Sequence, residues 1–354
     1  MASDVKANDA QTASDPASAT GSRASPTPPS GPSGLRNVGS GLLRQRELSV
    51  VVVVIALIIY FSVTKPAFHT SNNIGNIANY TSAAALIAIA EVFLLVCGEI
   101  DLSAGMTFAL TPIVMVSLNG HGVPLILSLL IALVIAAAVG VFNGVVTVLL
   151  KLPSFITTLG TLYLVHAVTL KVSHSYPKPA PSSGFFYHVL GGWKWSEIIW
   201  AVALALVLHV VLTNSRFGVA TIATGGNFLG ASEAGIRVRL VKIRAFVITA
   251  VFAGFAGVLD GIHISQNFTP NAGGNDLMFL AVASAVIGGT ALLGGSGTVI
   301  GAFFGALLLG VLQNGFNVAG LSSTDYILFE GIAIIAAMIL NTQLGRLRGG
   351  AKKA

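Results

Sequence analysis

The 354-residue chain is 54% hydrophobic and only 9% charged, with a formal net charge of +6 and a mean hydropathy of +0.84. Soluble domains carry roughly 25% charged residues, so a water-soluble globule is excluded, and the basic excess sits in three clusters that do not suggest nucleic-acid binding. The apolar runs are too long and too continuous for the alternating strands of an outer-membrane barrel, which leaves an all-α, polytopic membrane bundle.

Residues 1–46 are a different material from the rest. Ser, Thr, Ala, Gly and Pro dominate, with Pro26, Pro28, Pro29 and Pro32 and no apolar periodicity, so the segment reads as a disordered tail. Arg44 and Arg46 stand just before the first apolar run and no small-residue cleavage site follows it, which makes that run an uncleaved first span. With it, ten spans are expected, near 48–63, 79–97, 104–118, 124–150, 154–172, 195–213, 243–265, 276–293, 298–318 and 325–341. The lone Cys97 has no internal disulfide partner and reads as a small buried apolar residue.

Five Lys or Arg precede the first span, five lie between Arg216 and Arg244, and four follow Leu344, so 14 of 19 fall in three segments. Placing all three in the cytoplasm satisfies the positive-inside rule and puts both termini inside. The loop 266–275 then faces outside without Lys or Arg, whereas Lys171, Lys178 and Lys194 in the outside loop 171–194 run against the rule. The expected division is a tail over 1–46, a membrane domain over 47–345 with a cytoplasmic loop at 214–244, and a basic cytoplasmic tail at 346–354. An internal repeat lies beneath this order. A shift of 171 lays Asn143-Gly144 on Asn314-Gly315, Gly160 on Gly331, and the Glu99–Gly105 segment on Pro270–Asp276. Its halves start from opposite sides of the membrane, the arrangement in which substrate sites lie near the midplane.

Glu91, Asp101, Asp260 and Glu330 lie in or beside apolar stretches. Each carboxylate costs ~2.5–3.5 kcal/mol at a helix centre on insertion scales, so each should face protein or a water-filled cavity. Glu99-Ile-Asp-Leu-Ser-Ala-Gly105 fits a broken helix lining a polar path, and equally an ordinary turn in which Asp101 or Ser103 caps the next helix. From the repeat, Asp101, Asn143, Asn275, Asp276 and Asn314 are the substrate-path candidates. Gly297, Gly301 and Gly305 recur every four residues and suit close helix packing, while the amides of Asn314 and Asn317 suit polyol recognition.

In the loop 214–244, Gly225-Gly226 predict a sharp turn, residues near 228–234 a short helix, and Gly235 its exit. Phe228 and Leu229 would be apolar knobs for a partner and Glu233 a charge for it. Gly294-Gly-Ser-Gly297 matches the G-x-S-G of rhomboid-type proteases, but all seven histidines precede Ser296 whereas that family places its histidine later. No catalytic serine is therefore expected. With no H-E-x-x-H, no paired cysteines and no G-x-x-x-x-G-K-[ST], neither a metal site nor a nucleotide site is expected in this chain.

Four segments taken together are familiar: Gly98-Glu-Ile-Asp-Leu-Ser-Ala-Gly105, Lys151-Leu-Pro-Ser-Phe-Ile-Thr-Thr-Leu-Gly160, Ala223-Thr-Gly-Gly-Asn…Gly-Ile236, and Ile287-Gly-Gly-Thr-Ala-Leu-Leu-Gly-Gly-Ser-Gly-Thr298 continuing to Asn314-Gly315. Across about 48–345 the chain resembles the permease subunits of bacterial ATP-binding-cassette sugar importers, the ribose-type family. It departs at Glu99, where a second glycine is usual, and at Ala104, Asp276 and Glu330. The resemblance implies a ten-span half-channel in the bacterial cytoplasmic membrane that pairs with itself or a sister subunit. An extracellular or periplasmic sugar-binding protein would deliver a monosaccharide or related polyol, and cytoplasmic ATPases would drive alternating access. ATP is then used by a partner, and this chain carries no cofactor. Thr224, Gly225, Gly226, Asn227, Phe228, Leu229, Glu233, Gly235 and Ile236 fall in the part similar to the family's coupling helix. Branched-chain amino-acid and nucleoside permeases share this outline, and a stand-alone secondary transporter fits the repeat and the buried acids.

The orientation is open to a direct test. In a Cys97→Ala background, single cysteines at Ser232 and Asn271 should react with impermeant maleimide from opposite sides of the membrane. Labelling of both from outside would exclude the ten-span arrangement.

Overall fold

The structure is a computed structural model that describes residues 46–322 and, beyond them, 324–325, 327–332, 334–336 and 339. The tails expected at 1–46 (Arg46 apart) and 346–354, and the end of the tenth span, lie outside the described residues. The long helices are α1 (Arg46–Thr64), α2 (Ser71–Val96), α3 (Ala104–Gly120), α4 (Leu125–Leu149) and α5 (Ser154–Ser173). After a short α6 (Gly184–Leu190) come α7 (Ser196–Asn214), α8 (Arg216–Gly226), α9 (Phe228–Glu233) and α10 (Val238–Asp260), which runs on as a π-helical turn Gly261–Ser265. The chain continues through α11 (Gly274–Ile287) and α12 (Val299–Ala319) to an apolar helical stretch, Ile327–Ala336. Six of these elements are long and apolar enough to cross a membrane, and four shorter apolar helices occupy the other expected spans. The strands are the two-residue β1 (Lys178–Pro179) and β2 (Asn267–Phe268), antiparallel with Lys178 opposite Phe268.

Helix α2 is the axis of the bundle. Thr70 caps it by accepting from the Asn73 N–H, so the helix starts at Ser71, ahead of its apolar run, and its polar first turns stay helical. From Ala83 to Val96 every side chain is buried, because α7, α10, α11 and α12 all pack around it. Helix α4 is its opposite. Ser128, Ala132, Ala136, Gly140 and Gly144 form a buried stripe at four-residue spacing, while Ile126, Leu127, Leu130 and Val134 stay exposed. Small residues let two backbones approach closely, and the stripe packs on α10 at Phe246, Val247 and Ile243. The exposed side is a lipid-facing surface by composition.

The packing exchanges partners between the halves. α4, the fourth span, lies on α10, the seventh, while α12, the ninth, lies on α2, the second. Likewise α3 packs on α10 and α11 on α2. Two of the three spaced glycines sit where expected: Gly301 and Gly305 of α12 approach the backbone of Gly288 and Ser284 at the end of α11. Gly297 precedes the helix, because Thr298 caps α12 through the Gly301 N–H.

A Cβ at Gly288 would overlap the Gly301 carbonyl and the Ala302 nitrogen, whereas one at Gly160 would meet nothing. Gly288→Ala is expected to cost about 1–3 kcal/mol by overpacking, and Gly160→Ala to be neutral or to stabilise by about 0.5–1 kcal/mol. Thermal unfolding of the two purified variants in detergent checks the contrast.

Candidate functional site

The break between α2 and α3 is tied down residue by residue. Gly98 turns the chain at a φ of +75°, a backbone angle open to glycine. The Ile100 N–H then donates to Ser154 Oγ at 3.2 Å, and the Asp101 N–H to Glu91 Oε1 at 2.9 Å. Asp101 Oδ1 accepts from the Ser103 N–H and hydroxyl at 2.9 and 2.6 Å and from Asn143 Nδ2 at 3.2 Å. Asn143 Nδ2 also donates to Ser103 Oγ at 2.8 Å. Glu91, Asp101, Ser103 and Asn143 are all fully buried. Asp101 and Asn143 are thus brought together in a buried polar knot, in which Glu91 Oε2, Asp101 Oδ2 and Asn143 Oδ1 have no hydrogen-bond partner among the described residues.

Asn314 lies elsewhere. Its Oδ1 accepts from Asn73 Nδ2 at 2.8 Å, and the same amide group donates to the Phe68 carbonyl at 2.7 Å. The equivalence of Asn143 with Asn314 in sequence does not extend to their partners.

Asp276, in the first turn of α11, lines a cavity of about 920 Å³. Asn76, Asn79 and Tyr80 of α2, Asp260 of α10, Gln313 and Asn317 of α12, and Glu330 share it, with Phe108, Leu277, Phe279 and Leu280 as apolar walls. Asn317 Nδ2 donates to the Tyr80 hydroxyl at 3.1 Å. Asn275 is exposed next to Asp276. The amides of α2 recur at 73, 76 and 79, one helix face, and that spacing could have exposed them in the sequence had the span not been started at residue 79. Glu197, fully buried and without a hydrogen-bond partner among the described residues, was missed although it stands in the expected span 195–213, the same signal that marks Glu91.

The segment 214–236 forms two helices in place of a turn and one helix. Ser215 caps α8 through the Gly218 N–H, and Phe217 stacks on Phe93 of α2 with ring centroids 5.8 Å apart. Gly225 and Gly226 are the end of α8, and the turn expected there falls on Asn227, whose Oδ1 accepts from the Gly230 N–H at 2.9 Å to cap α9. Gly225 is needed for space: a Cβ there would overlap the Val96 carbonyl and come within 2.7 Å of the Gly295 nitrogen. The Gly295 N–H donates to that same Val96 carbonyl at 2.8 Å. Gly235 ends the second helix at a φ of +83°. Thr224 is buried, while Phe228 and Leu229 are 47% and 71% exposed. Glu233 is exposed on the last turn of α9, and the Ile236 N–H returns to the Ala231 carbonyl at 3.0 Å.

A bundle of apolar helices with broken spans, a polar cavity and a short exposed helix at α9 is the arrangement expected of a membrane transport protein. The family described as branched-chain amino acid transport system / permease component matches residues 73–338. The xylose/arabinose import permease of Sulfolobus acidocaldarius is 35% identical over 309 residues, 83% of this chain and 84% of that protein. The ribose import permease of Escherichia coli is 31% identical, covering 85% and 94%. An autoinducer 2 import system permease of Photorhabdus laumondii is also 31% identical, covering 87% and 92%. No solved structure matches the chain. The chain belongs to this family of transport-system permease components, and it is a multi-pass membrane protein.

Because Asn143 supplies two of the hydrogen bonds in the knot, Asn143→Leu should destabilise the bundle by about 1–3 kcal/mol by removing both from buried Asp101 and Ser103. The check is its thermal unfolding midpoint in detergent, which should fall well below that of Asn119→Leu at the exposed end of α3.

Proposed function

We propose that the chain is the membrane-spanning subunit of an ATP-driven importer that carries a monosaccharide or related polyol across the cytoplasmic membrane. The observation that carries this reading is the cavity lined by Asn76, Asn79, Tyr80, Asp276, Gln313 and Asn317, whose described lining holds no Lys, Arg or His. Sugar hydroxyls both donate and accept, and amides, a phenol and carboxylates answer both needs. Three carboxylates, Asp260, Asp276 and Glu330, border the same space, and the basic side chains Lys194 and His263 stand only in the adjoining pocket that shares Asn76 and Asn79. The ribose and xylose/arabinose import permeases among the relatives agree with a sugar.

With both termini cytoplasmic and the membrane domain over 47–345, the cavity opens outward and the knot of Glu91, Asp101 and Asn143 closes the inner half. In this reading Asp276 touches the passing sugar, whereas Asp101, Asn143 and Asn314 shape the path from behind. An extracellular or periplasmic sugar-binding protein delivers the cargo, and a second copy of this chain completes the channel. A cytoplasmic ATPase engages Thr224–Ile236, with Phe228 and Leu229 seated in a groove on it. Exposed apolar side chains on a short helix beside the basic residues Arg237 and Arg239 support that contact.

The test is sugar uptake by proteoliposomes holding the full importer, with labelled D-ribose, D-xylose and L-arabinose. Asn79→Leu with Asn317→Leu should lower uptake about tenfold or more, the order expected for losing one or two hydrogen bonds of ~1 kcal/mol each. Phe228→Asp should leave the protein in the membrane and abolish ATP hydrolysis stimulated by the loaded binding protein. Uptake driven by an ion gradient through this chain alone would overturn the reading in favour of a secondary transporter.

A further inference from the structure

Besides the glycine seat at the end of α8, the segment 216–236 meets the bundle through a second contact, made beside α9, and it is electrostatic. Lys242, in the second turn of α10, forms an ion pair with Glu99, and its ammonium also lies over the Phe228 ring, 5.5 Å from the centroid. Both charged side chains are largely withdrawn from solvent, at 17% and 13% exposure. Glu99 is not a free end. Its N–H donates to the Leu94 carbonyl at 2.9 Å, and the next two residues are fastened to Ser154 and to Glu91. One cation therefore touches an exposed aromatic on the projecting helix and a carboxylate in the break between α2 and α3.

We propose that Lys242 is a positioning residue that transmits movement of α9 to the broken segment 98–103 through its ion pair with Glu99. This rests on the reading of α9 as the ATPase contact. The physical argument is the difference between the two components. The seat of Gly225 on the Val96 carbonyl and Gly295 is backbone against backbone, without slack, and fixes where α8 ends. An ion pair is non-directional enough to persist while its partners slide, so it can keep pulling on Glu99 as Phe228 is displaced. Displacing Glu99 then acts on Ile100 and Asp101, whose backbone hydrogen bonds hold α5 and α2 against the knot.

The experiment uses the full importer in nanodiscs, reading ATP hydrolysis with and without binding protein loaded with D-ribose, D-xylose or L-arabinose. Lys242→Met keeps the apolar stem and removes the charge. It should retain basal hydrolysis and lose stimulation by about fivefold or more, within the usual range of coupling between sites. Lys242→Arg should keep most of the stimulation. The exchanged pair Glu99→Lys with Lys242→Glu should recover at least half of what Lys242→Met loses, since the attraction returns although the cation over Phe228 does not. A purely structural role would not be rescued by exchanging the charges. Should Lys242→Met fail to accumulate, Glu99→Gln with the exchanged pair reads the same coupling. Full stimulation in Lys242→Met or Glu99→Gln, or a loss that the exchange does not repair, overturns the inference and leaves the ATPase contact standing. Absence of stimulation in the wild type overturns the reading of α9 itself, and the inference with it.

Discussion

A backbone amide cannot be left without a partner inside a membrane, and the break between α2 and α3 interrupts the helical pattern that would otherwise meet that need. The helix stops at Val96 and the next begins at Ala104, and the groups freed between them are met from three directions. Glu91 reaches from within α2, Ser154 from the start of α5, and Asn143 and Ser103 converge on Asp101. Asn143 can do so only if α4 stands in one register against α10, which its stripe of small residues enforces. The polar knot and the apolar packing of α4 therefore depend on each other, and the rest of the bundle is arranged around the pair.

The two halves of the repeat share a packing plan and divide the labour. In the first half the break is closed by fully buried side chains. At the corresponding place in the second half, Asp276 and the loop before α11 border a cavity instead. The difference traces to Asn314, which is turned toward Asn73 and so gives the second break none of the support that Asn143 gives the first. The first break is packed over by buried side chains, and the second borders a cavity.

Helix α2 joins these regions. Its first turns carry Asn76, Asn79 and Tyr80 into the cavity, and its last residue offers the Val96 carbonyl to Gly295 beside Gly225. At about 1.5 Å per residue its 26 residues make a rod of roughly 39 Å. Buried on all sides beyond Ala83, it has little room to bend, so displacement at one end is felt at the other.

Composition and periodicity settled the class of this protein: hydrophobicity of 54% with 9% charge admits little besides a helical membrane bundle. Each span is specified locally, because a run of apolar residues must hide its own backbone whatever its neighbours are. The short helix near Phe228 and its exit at Gly235 were legible for the same reason, since caps and turns are read over a few residues. The roles of the polar residues were not. Asp101 and Asn143 are 42 positions apart and Asn73 and Asn314 are 241 apart, so whether an amide faces a cavity or closes a knot depends on which helix lies against it. Gly225 and Gly226 suggested a turn by residue type, yet what requires a glycine at 225 is the backbone of Val96 and Gly295 arriving from elsewhere in the chain. Lys242 read only as one of the basic cluster 216–244 and Glu99 only as part of the polar interruption 99–105, until folding set them side by side across 143 residues. Local hydrogen-bond satisfaction and burial are written in neighbouring residues, whereas pairing at long range is decided only when the helices pack.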